Sequence, residues 1–405
     1  MNLTIINQPT NNRGDEAAHR SLMRSLNKTL PNAQICVLFI GENSNTVDQM
    51  TVYNENNTYL NIPRKIKGMG RFLPKVFTKY NVLGIANVFS AYRHYIEVLK
   101  KSNLVLCAPG GICMGGFQNW THIFFLLLAI KYNKNVIYYS RSIGPFPEIT
   151  KDNRIFKKRS IDILHRLKFI SLRDTKSIQI ADQLGIDCIK AIDTAFLDVP
   201  QVTLSEELRS IMNGDYVVFV PNSLTWHHAY CNASQDIIDN FYVLLAKKIL
   251  EQDKNLKIVM LPQIFNDSKI CDEKYFQKLK SKIKDERIIV LPETYSSDIQ
   301  QKIISLSNLV IGTRYHSIVF AINNEIPFVA LSYEHKMSGL LDMLNLSDRY
   351  VDVSKLGKSY KEINAILETT LNIINTTFEV NILNNAKKTS NKIAQDCFNI
   401  VATQF

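Results

Sequence analysis

Short apolar runs rich in β-branched residues alternate with longer amphipathic stretches along most of the chain. In the first half, the apolar runs predict strands at residues 3–7, 34–39, 103–108, 135–139, 169–172 and 188–191. The stretches between them predict helices at residues 16–30, 91–101, 121–132, 153–166 and 176–184. Strands and helices that alternate at this spacing form βαβ units, so we expect a parallel sheet covered on both faces.

The same pattern starts again after a polar connection near residues 200–215. It predicts strands at residues 216–220, 256–261, 287–291, 309–311 and 328–332, and helices at residues 236–252, 272–284, 297–305, 317–323 and 338–344. The expected fold class is therefore α/β, with two doubly wound, Rossmann-like domains that face each other across a ligand-binding cleft. The predicted parts are residues 1–200, residues 213–358 and a helical tail at 359–405; residues 43–62, rich in Asn and Thr, are predicted to be a surface loop.

The amino-acid composition indicates what class of protein the sequence encodes. Hydrophobic residues make up 46% of the chain and charged residues 21%, which is typical of a globular protein. The longest apolar run, residues 123–130, is too short to span a bilayer and predicts a buried helix. Because the N-terminus lacks a secretory signal and the seven cysteines are dispersed without a C-x-x-C pair, we expect reduced thiols and a cytoplasmic location.

The net charge of +11 suggests a negatively charged partner. The basic residues are spread over predicted helices and loops, and no basic stripe with interleaved aromatic residues is present, so a nucleic-acid partner is not predicted. Phosphorylated substrates, or peripheral association with the anionic inner face of a membrane, explain the charge at least as well.

Residues that follow the predicted strands carry the chemistry in a parallel α/β fold. In the first half, the turn after the first strand contains Asn12, Gly14 and Asp15, where the glycine permits a left-handed backbone and the aspartate is either functional or a helix N-cap. A glycine-rich turn at residues 108–116 lets a ligand approach the backbone closely. Arg141 lies beside a Gly-Pro turn at another strand end, where it is predicted to face the cleft.

In the second half, the first strand is followed by a polar loop that begins at Asn222 and contains the adjacent imidazoles of His227 and His228. Adjacent histidines raise the question of a metal ion. No H-E-x-x-H motif or carboxylate stands at ligand spacing, so no metal is assigned.

Two later strand ends are rich in charge. Arg314 and His316 lie between an apolar strand and an apolar helix, where cations and free N–H groups suit a phosphate or carboxylate ligand. One strand later, Glu334, His335 and Lys336 place an acid, an imidazole and an ammonium together. Both clusters could converge on one small polyanion.

At these positions the sequence resembles the polysaccharide pyruvyltransferase family. The resemblance covers roughly residues 1–350, and it is carried by short motifs in the same order: Asn12-Arg-Gly-Asp15, Pro109-Gly-Gly111, Ser142-Ile-Gly-Pro145, Leu172-Arg-Asp174, Asp193-Thr-Ala-Phe196, Leu261-Pro-Gln263, Gly312-Thr-Arg-Tyr-His316 and Ser332-Tyr-Glu-His-Lys336. The resemblance implies a glycosyltransferase-B-like fold and an enzyme that transfers pyruvate from phosphoenolpyruvate to a sugar as a ketal, in the biosynthesis of a cell-surface polysaccharide such as a capsule or exopolysaccharide.

The resemblance also implies roles for the motif residues. The donor would be bound by Arg314, His316 and Lys336 together with Asn222, and the catalytic acids and bases would come from His316, Glu334 and His335. The acceptor sugar, lipid-linked or free, would contact Asn12, Asp15, Gly110, Gly111 and Arg141. Phosphoenolpyruvate is a co-substrate, and no cofactor or metal is implied, since phosphate flanked by cations is already a good leaving group.

The chain departs from the family's pattern at two places. The loop at residues 222–225 lacks an arginine that the family often has, and Glu334-His335 stands where the family often has Asp-Pro. Donor geometry and the identity of the proton donor are therefore open.

Two other functions are compatible with the same residues. A glycosyltransferase that uses a nucleotide-sugar would bind a nucleoside diphosphate and not phosphoenolpyruvate. A non-catalytic carbohydrate-binding relative would still bind sugar after Arg314 and His316 are changed, and would turn over no substrate.

Overall fold

The structure, a computed structural model, describes residues 1–10, 12–62, 72–225, 227, 230, 232–265 and 271–404. It divides into two compact units. Of the described residues, the first unit contains 1–10, 18–197 and 392–404, and the second contains 12–17 and 198–391. The main boundary lies near the predicted one at residue 200, whereas residues 12–17 and the predicted tail are distributed differently from the prediction.

The first unit is built on one sheet, which is parallel throughout the described residues. Its strands are β1 (Asn2–Ile6), β2 (Gln34–Ile40), β3 (Asn57–Ile62), β4 (Leu104–Cys107), β5 (Gly110–Met114), β6 (Val136–Ile143), β7 (Phe169–Leu172) and β8 (Ile189–Lys190). Their order is β3-β2-β1-β4-β6-β7-β8, with β5 paired to β6. The helices are α1 (Arg13–Thr29), of which residues 18–29 belong to this unit, α2 (Ser44–Met50), α3 (Phe72–Tyr80), α4 (Ser90–Lys101), α5 (Trp120–Tyr132), α6 (Lys151–Arg166) and α7 (Thr175–Gln183).

The second unit repeats the architecture. Its strands are β9 (Tyr216–Val220), β10 (Lys257–Met260), β11 (Ile288–Val290), β12 (Leu309–Gly312), β13 (Phe328–Ser332) and β14 (Tyr350–Asp352), in the order β11-β10-β9-β12-β13-β14 and parallel where described. Its helices are α8 (Glu206–Ile211), α9 (Gln235–Gln252), α10 (Asp272–Ile283), α11 (Ser297–Ile304), α12 (Tyr315–Asn323), α13 (His335–Met343), α14 (Tyr360–Asn375) and the first part of α15 (Val380–Ala402).

Both faces of the first sheet are buried, and β4 shows this directly. Leu104 and Leu106 belong to one apolar cluster, while the alternating Val105 and Cys107 belong to another. The second cluster contains the buried face of α5, and the first contains residues of α1 together with Cys397, Phe398 and Val401 from the end of α15. Strands buried on both faces read as continuous apolar runs, which is why the sequence predicted them.

The fold class and the predicted strands are confirmed, as is the buried helix at the longest apolar run, with boundaries that shift by a few residues. The prediction of a surface loop at residues 43–62 was wrong, because this segment forms α2 and the edge strand β3. Five of the six β3 residues are half-buried or exposed, so the segment lacks the apolar run that identifies the central strands.

Burial of His19 makes the first unit sensitive to acid. Its pKa falls from 6.5 to about 3, first because burial disfavours the charged imidazole and second because Arg20 is nearby. Below about pH 6.5 the unfolded chain binds a proton that the folded chain does not, so stability decreases as the pH falls toward 3. Between pH 6.5 and 5 this imidazole should cost about 2 kcal/mol of the free energy of unfolding.

We therefore expect the melting temperature to fall between pH 7.5 and 5, and to fall less in His19→Gln, which has no imidazole to protonate. His94→Gln is the matched control, since His94 is exposed and its loss should leave the pH dependence of the wild-type protein unchanged. Thermal unfolding at the two pH values measures both variants. An equal fall in His19→Gln and wild type would contradict the assignment.

Candidate functional site

The predicted site residues of the second unit lie at the carboxyl edge of its sheet. The strand order reverses between β9 and β12, and such a switch point is where doubly wound sheets bind ligands. Asn222 follows β9, Arg314 follows β12, and Glu334 follows β13, which pairs with β12. These motifs, which are far apart in the sequence, therefore lie in one spatial cluster.

Arg314 is fixed by a buried ion pair. Its Nη2 atom lies 2.5 Å from Oδ1 of Asp272, the first residue of α10, and both side chains are less than a tenth exposed. The other oxygen of Asp272 accepts hydrogen bonds from the backbone N–H groups of Gln263 and Ile264, at 3.0 and 2.9 Å. Nε of Arg314 is buried and has no hydrogen-bond partner among the described residues. One side of the guanidinium is thus held while the Nε–H is left over.

Asp272 was not predicted from the sequence as part of the site. It stands at the start of a predicted helix, where an aspartate usually only favours the helix N-terminus. Its contact with Arg314 spans 42 residues of sequence, and a lone aspartate gives no local signal of such a partner.

Two helix N-termini point to the same edge. The helices α12 and α13 begin at Tyr315 and His335, a few residues earlier than the predicted starts at 317 and 338. His316 and His335 therefore lie in first helical turns, not in loops. The N-cap residues of these helices, Arg314 and Glu334, make no side-chain capping hydrogen bond, and each helix N-terminus carries a partial positive charge.

The carboxylate of Glu334 lies near three cationic or titratable groups, those of Lys336, His227 and His335. Its Oε2 lies 2.6 Å from Nζ of Lys336, and its Oε1 lies 3.6 Å from Nε2 of His227. Burial by itself would raise the pKa of Glu334, but Lys336, His227 and His335 outweigh that effect and hold it below its ordinary value. Glu334 is therefore a carboxylate at neutral pH.

Aromatic rings connect these charged groups. The ring of Tyr333 lies 4.8 Å from the imidazole of His227, and Nζ of Lys336 lies 6.0 Å from the centre of the Tyr315 ring. Asn222 is buried, and its backbone carbonyl accepts a hydrogen bond from the Tyr242 hydroxyl at 3.1 Å. His228, the second histidine of the predicted pair, lies outside the described residues. The second unit thus brings together all the predicted donor and catalytic residues.

The segment Asn12 to Glu16 also belongs to the second unit, although the sequence placed it with the first. The Arg13 backbone N–H donates to the carbonyl of Gln263 at 2.8 Å, and the Arg13 side chain pairs with Glu16 at 2.5 Å and donates to the carbonyl of Glu293 at 2.6 Å. Oε1 of Glu16 accepts two hydrogen bonds from Ser297. These buried contacts hold the first turn of α1 against the second unit.

In this packing Asn12, and not Asp15, caps the N-terminus of α1. Oδ1 of Asn12 accepts a hydrogen bond from the Gly14 N–H at 2.7 Å, so Asn12 is the residue that caps the turn. Asp15 lies half-buried in the first turn of α1 and is not the N-cap. Gly14 is helical, so the left-handed backbone that a glycine permits is not adopted here.

The reason for a glycine at position 14 is the imidazole of His316. A Cβ atom at Gly14 would lie 1.7 Å from Nδ1 and 1.9 Å from Cγ of His316, far inside van der Waals contact. The backbone of residue 14 therefore packs directly on the ring, and it fixes the orientation of His316 at the start of α12.

The remaining predicted acceptor residues lie in the first unit. Arg141 was predicted to follow a strand and to lie beside a Gly-Pro turn; β6 instead continues through Arg141 to Ile143, just before that turn, and buries it. Its guanidinium donates to the carbonyl of Ala108 at 2.5 Å and to the sulfur of Cys113 at 3.1 Å. Much of its hydrogen-bonding capacity is therefore used to hold the segments that follow β4.

The predicted glycine turn is instead the short strand β5. A Cβ atom at Gly110 would lie 2.8 Å from Cγ of Pro9, and its φ of +155° is one that other residues rarely adopt. At Gly111 the nearest such contact is 4.0 Å from Arg173, so a side chain would fit there. Gly110 is thus required by packing against Pro9, and Gly111 is not.

Two features are absent from the described residues. His, Cys, Asp and Glu side chains form no group of three or more that could hold a metal ion in the part of the chain that is described. Among the described helices, none combines the length and the apolar composition that crossing a bilayer requires.

Comparison with known sequences gives a family match over most of the chain. A sequence model of the family described as polysaccharide pyruvyl transferase matches residues 12–335. The chain is also 24% identical over 399 residues to the amylovoran biosynthesis protein AmsJ of Erwinia amylovora, covering 90% of this chain and 92% of that protein.

Comparison with solved structures shows the same fold at low sequence identity. The Anabaena protein HepE, solved with UDP and glucose, has a TM-score of 0.58 at 12% identity, covering 99% of this chain and 98% of that one. The rhamnosyltransferase SpnG has a TM-score of 0.56 at 12% identity, covering 100% and 99%. A putative UDP-N-acetylglucosamine 2-epimerase from Listeria monocytogenes has a TM-score of 0.57 at 11% identity, covering 97% and 90%. The fold is therefore glycosyltransferase-B-like.

The contact between Gly14 and His316 gives a testable prediction. Alanine is favoured over glycine in a helix by about 1 kcal/mol, but the overlap with the imidazole should cost more, so Gly14→Ala should destabilise the protein by roughly 1–3 kcal/mol. The cost should shrink in the background of His316→Gly, which removes the ring and its Cβ. Thermal unfolding of the two single variants and the double variant measures this coupling.

Gly84→Ala is the matched control, because a Cβ there meets only the flexible end of Lys131 at 3.6 Å. If Gly14→Ala costs the same with and without the His316 side chain, the ring is not what excludes a side chain at position 14.

Proposed function

Because the chain belongs to the polysaccharide pyruvyl transferase family, we propose that it transfers the pyruvyl group of phosphoenolpyruvate to a sugar as a ketal, in the biosynthesis of a cell-surface polysaccharide. The observation that carries the proposal is the pair of helix N-termini, α12 and α13, which begin beside Arg314, His316 and Lys336. The relation to AmsJ, a protein of amylovoran biosynthesis, supports the polysaccharide context.

Phosphoenolpyruvate carries about three negative charges near neutral pH, so its site needs several cations and backbone amides. Arg314 offers a guanidinium that Asp272 holds in place, with Nε–H left over for an oxygen of the donor. Lys336 supplies an ammonium that is a quarter exposed, and α12 adds the positive end of its dipole at His316. We assign the phosphate and carboxylate of the donor to these groups.

The proposed reaction balances without a further reactant. A proton adds to the methylene carbon of phosphoenolpyruvate, which becomes the methyl group, and one sugar hydroxyl bonds to the central carbon and loses its proton. A second hydroxyl of the same sugar then displaces phosphate from that carbon, and its proton leaves with the phosphate. The products are a pyruvate ketal and inorganic phosphate, and the cations around the phosphate stabilise it as it leaves.

Glu334 and His227 are the pair best placed to handle the protons. Glu334 is ionised, so it can accept a hydrogen bond from a sugar hydroxyl or stabilise an imidazolium at His227, 3.6 Å away. We propose that His227 exchanges the proton and Glu334 positions and stabilises it, with His335 as the alternative base on the same turn. His316, held against Gly14, serves as a cation or acid beside the phosphate.

We propose a cytoplasmic location and an acceptor sugar that is free or lipid-linked. The six described cysteines are free thiols, which supports a reducing compartment. The net charge of +11 would favour peripheral contact with an anionic membrane that carries a lipid-linked acceptor. The proposed reaction draws on phosphoenolpyruvate as co-substrate and on no other cofactor.

Substitution of Arg314 tests the donor site. Arg314→Ala would leave Asp272 buried without its partner, which costs about 3–5 kcal/mol of stability and confuses folding with catalysis. Arg314→Lys keeps the charge and loses the planar fork. Losing one charge-assisted hydrogen bond costs about 1.5–3 kcal/mol, so kcat/KM for phosphoenolpyruvate should fall about 10- to 100-fold, measured as phosphate release with a panel of glycosides.

Arg287→Lys is the matched control, since Arg287 is also paired with an aspartate, Asp285 at 2.8 Å, but lies just before β11, at the amino end of that strand. It should keep wild-type turnover. Unchanged turnover in Arg314→Lys would contradict the donor assignment. Saturable binding of UDP, with none of phosphoenolpyruvate, would replace the proposal by a nucleotide-sugar glycosyltransferase.

The pH dependence of kcat tests the proton-transfer pair. Glu334→Gln removes the negative charge that stabilises an imidazolium at His227, so the limb of the profile that reports His227 should move to lower pH and kcat should fall. His227→Gln should remove that limb. A profile unchanged in both variants, with a changed one in His335→Gln, would assign the proton transfer to His335.

A further inference from the structure

We propose that a cavity at the carboxyl edge of the first sheet is a binding site for one neutral, hydroxyl-rich sugar ring, recognised by Asn7, Gln8 and His122. None of these residues was singled out from the sequence. The identification of this sugar as the acceptor rests on the proposed function; the preference for a neutral, hydroxyl-rich ligand does not.

The cavity lies where the strand order of the first sheet reverses, between β1 and β4. It has a volume of about 160 Å³ and is lined by the loop after β1, the end of β2, Cys113, the start of α5, and Arg141. At about 30 Å³ for each water, this volume corresponds to about five waters, which suits a single ring rather than an oligosaccharide.

The polar side chains that line the cavity have hydrogen-bonding atoms to spare. Oδ1 of Asn7, Oε1 of Gln8 and Nε2 of His122 are buried and have no partner among the described residues, and each of the three residues is less than a tenth exposed. The amide nitrogen of Asn7 donates to the carbonyl of His122 at 3.0 Å, and that of Gln8 donates to the carbonyl of Pro9 at 3.0 Å. The oxygens of both amides are therefore the unsatisfied ends.

The backbone bends at Asn7, the residue that follows β1. Its φ of 56° is in the left-handed region, which asparagine adopts more readily than most residues that carry a side chain. In this conformation the Asn7 amide reaches the carbonyl of His122 in the first turn of α5.

The chemistry of these atoms selects a neutral ligand. Amide oxygens accept hydrogen bonds, so they need a donor, which a sugar hydroxyl supplies and a fully ionised phosphate or carboxylate does not. Burial and the nearby Arg141 hold the pKa of His122 well below its ordinary value, so its imidazole is neutral. The guanidinium of Arg141 donates to Ala108 and Cys113, and the N-terminus of α5 is already capped by Asn119.

Binding measurements on the full chain without phosphoenolpyruvate test the site. Methyl glucopyranoside, galactopyranoside and mannopyranoside should include a saturable ligand, measured by saturation-transfer NMR and calorimetry, and its 6-phosphate should bind at least tenfold more weakly. Gln8→Met and His122→Phe, which keep side-chain shape and lose the polar atoms, should weaken the neutral glycoside at least tenfold. His19→Phe is the matched control, because His19 is a buried imidazole of the same unit that does not line the cavity.

Transfer assays separate this site from the proposed function. Gln8→Met should raise the KM of the acceptor at least tenfold and leave the KM of phosphoenolpyruvate unchanged. If His122→Phe does not fold, the glycoside affinity of Gln8→Met alone tests the site. Absence of saturable binding by any glycoside, tighter binding of the 6-phosphate, or an unchanged affinity in Gln8→Met would overturn the site. Glycoside binding that depends on Gln8, without any pyruvyl transfer, would support the site and contradict the proposed function.

Discussion

The arrangement of the second unit's candidate site depends on the interactions of one buried carboxylate, that of Asp272. It accepts hydrogen bonds from two consecutive backbone N–H groups after β10 and from the guanidinium of Arg314 after β12. The carbonyl of Gln263, in the same loop, accepts the backbone N–H of Arg13. A buried carboxylate is stable only when it is fully paired. The Asp272 side chain thus ties the loop after β10 to the start of α12, and the carbonyl of Gln263 attaches the segment around Arg13 to the same loop.

The two units present opposite chemistry at the same topological position. In the second unit, the switch point between β9 and β12 carries an arginine, a lysine and several imidazoles beside helix N-termini without side-chain caps. In the first unit, the switch point between β1 and β4 carries amides and a neutral imidazole, and its nearby helix is capped. Under the proposed function, these environments would favour a charged donor in the second unit and an uncharged acceptor in the first.

Local pattern was enough to predict most of the fold, because strands buried on both faces leave continuous apolar runs in the sequence. It failed at β3, an edge strand with half-buried side chains. It also predicted that the loops after the strands lie at one edge of each sheet, because the carboxyl ends of parallel strands share that edge. It could not predict how Arg141 or Gly14 would be used. The guanidinium of Arg141 donates hydrogen bonds to backbone carbonyls. Residue 14 must be a glycine because a Cβ atom there would overlap the ring of His316, about 300 residues later in the sequence.

The placement of the last turns of α15 affects how the protein can be made. Cys397, Phe398 and Val401 pack in the same apolar cluster as Leu3 and Ile5 of the first strand. The first unit, although most of it leaves the ribosome early, therefore lacks part of its core until residues 397–401 have been synthesised. Until then its sheet exposes apolar surface on one face, a state that is prone to aggregation and that chaperones bind. The second unit is therefore translated before the core of the first unit can be completed.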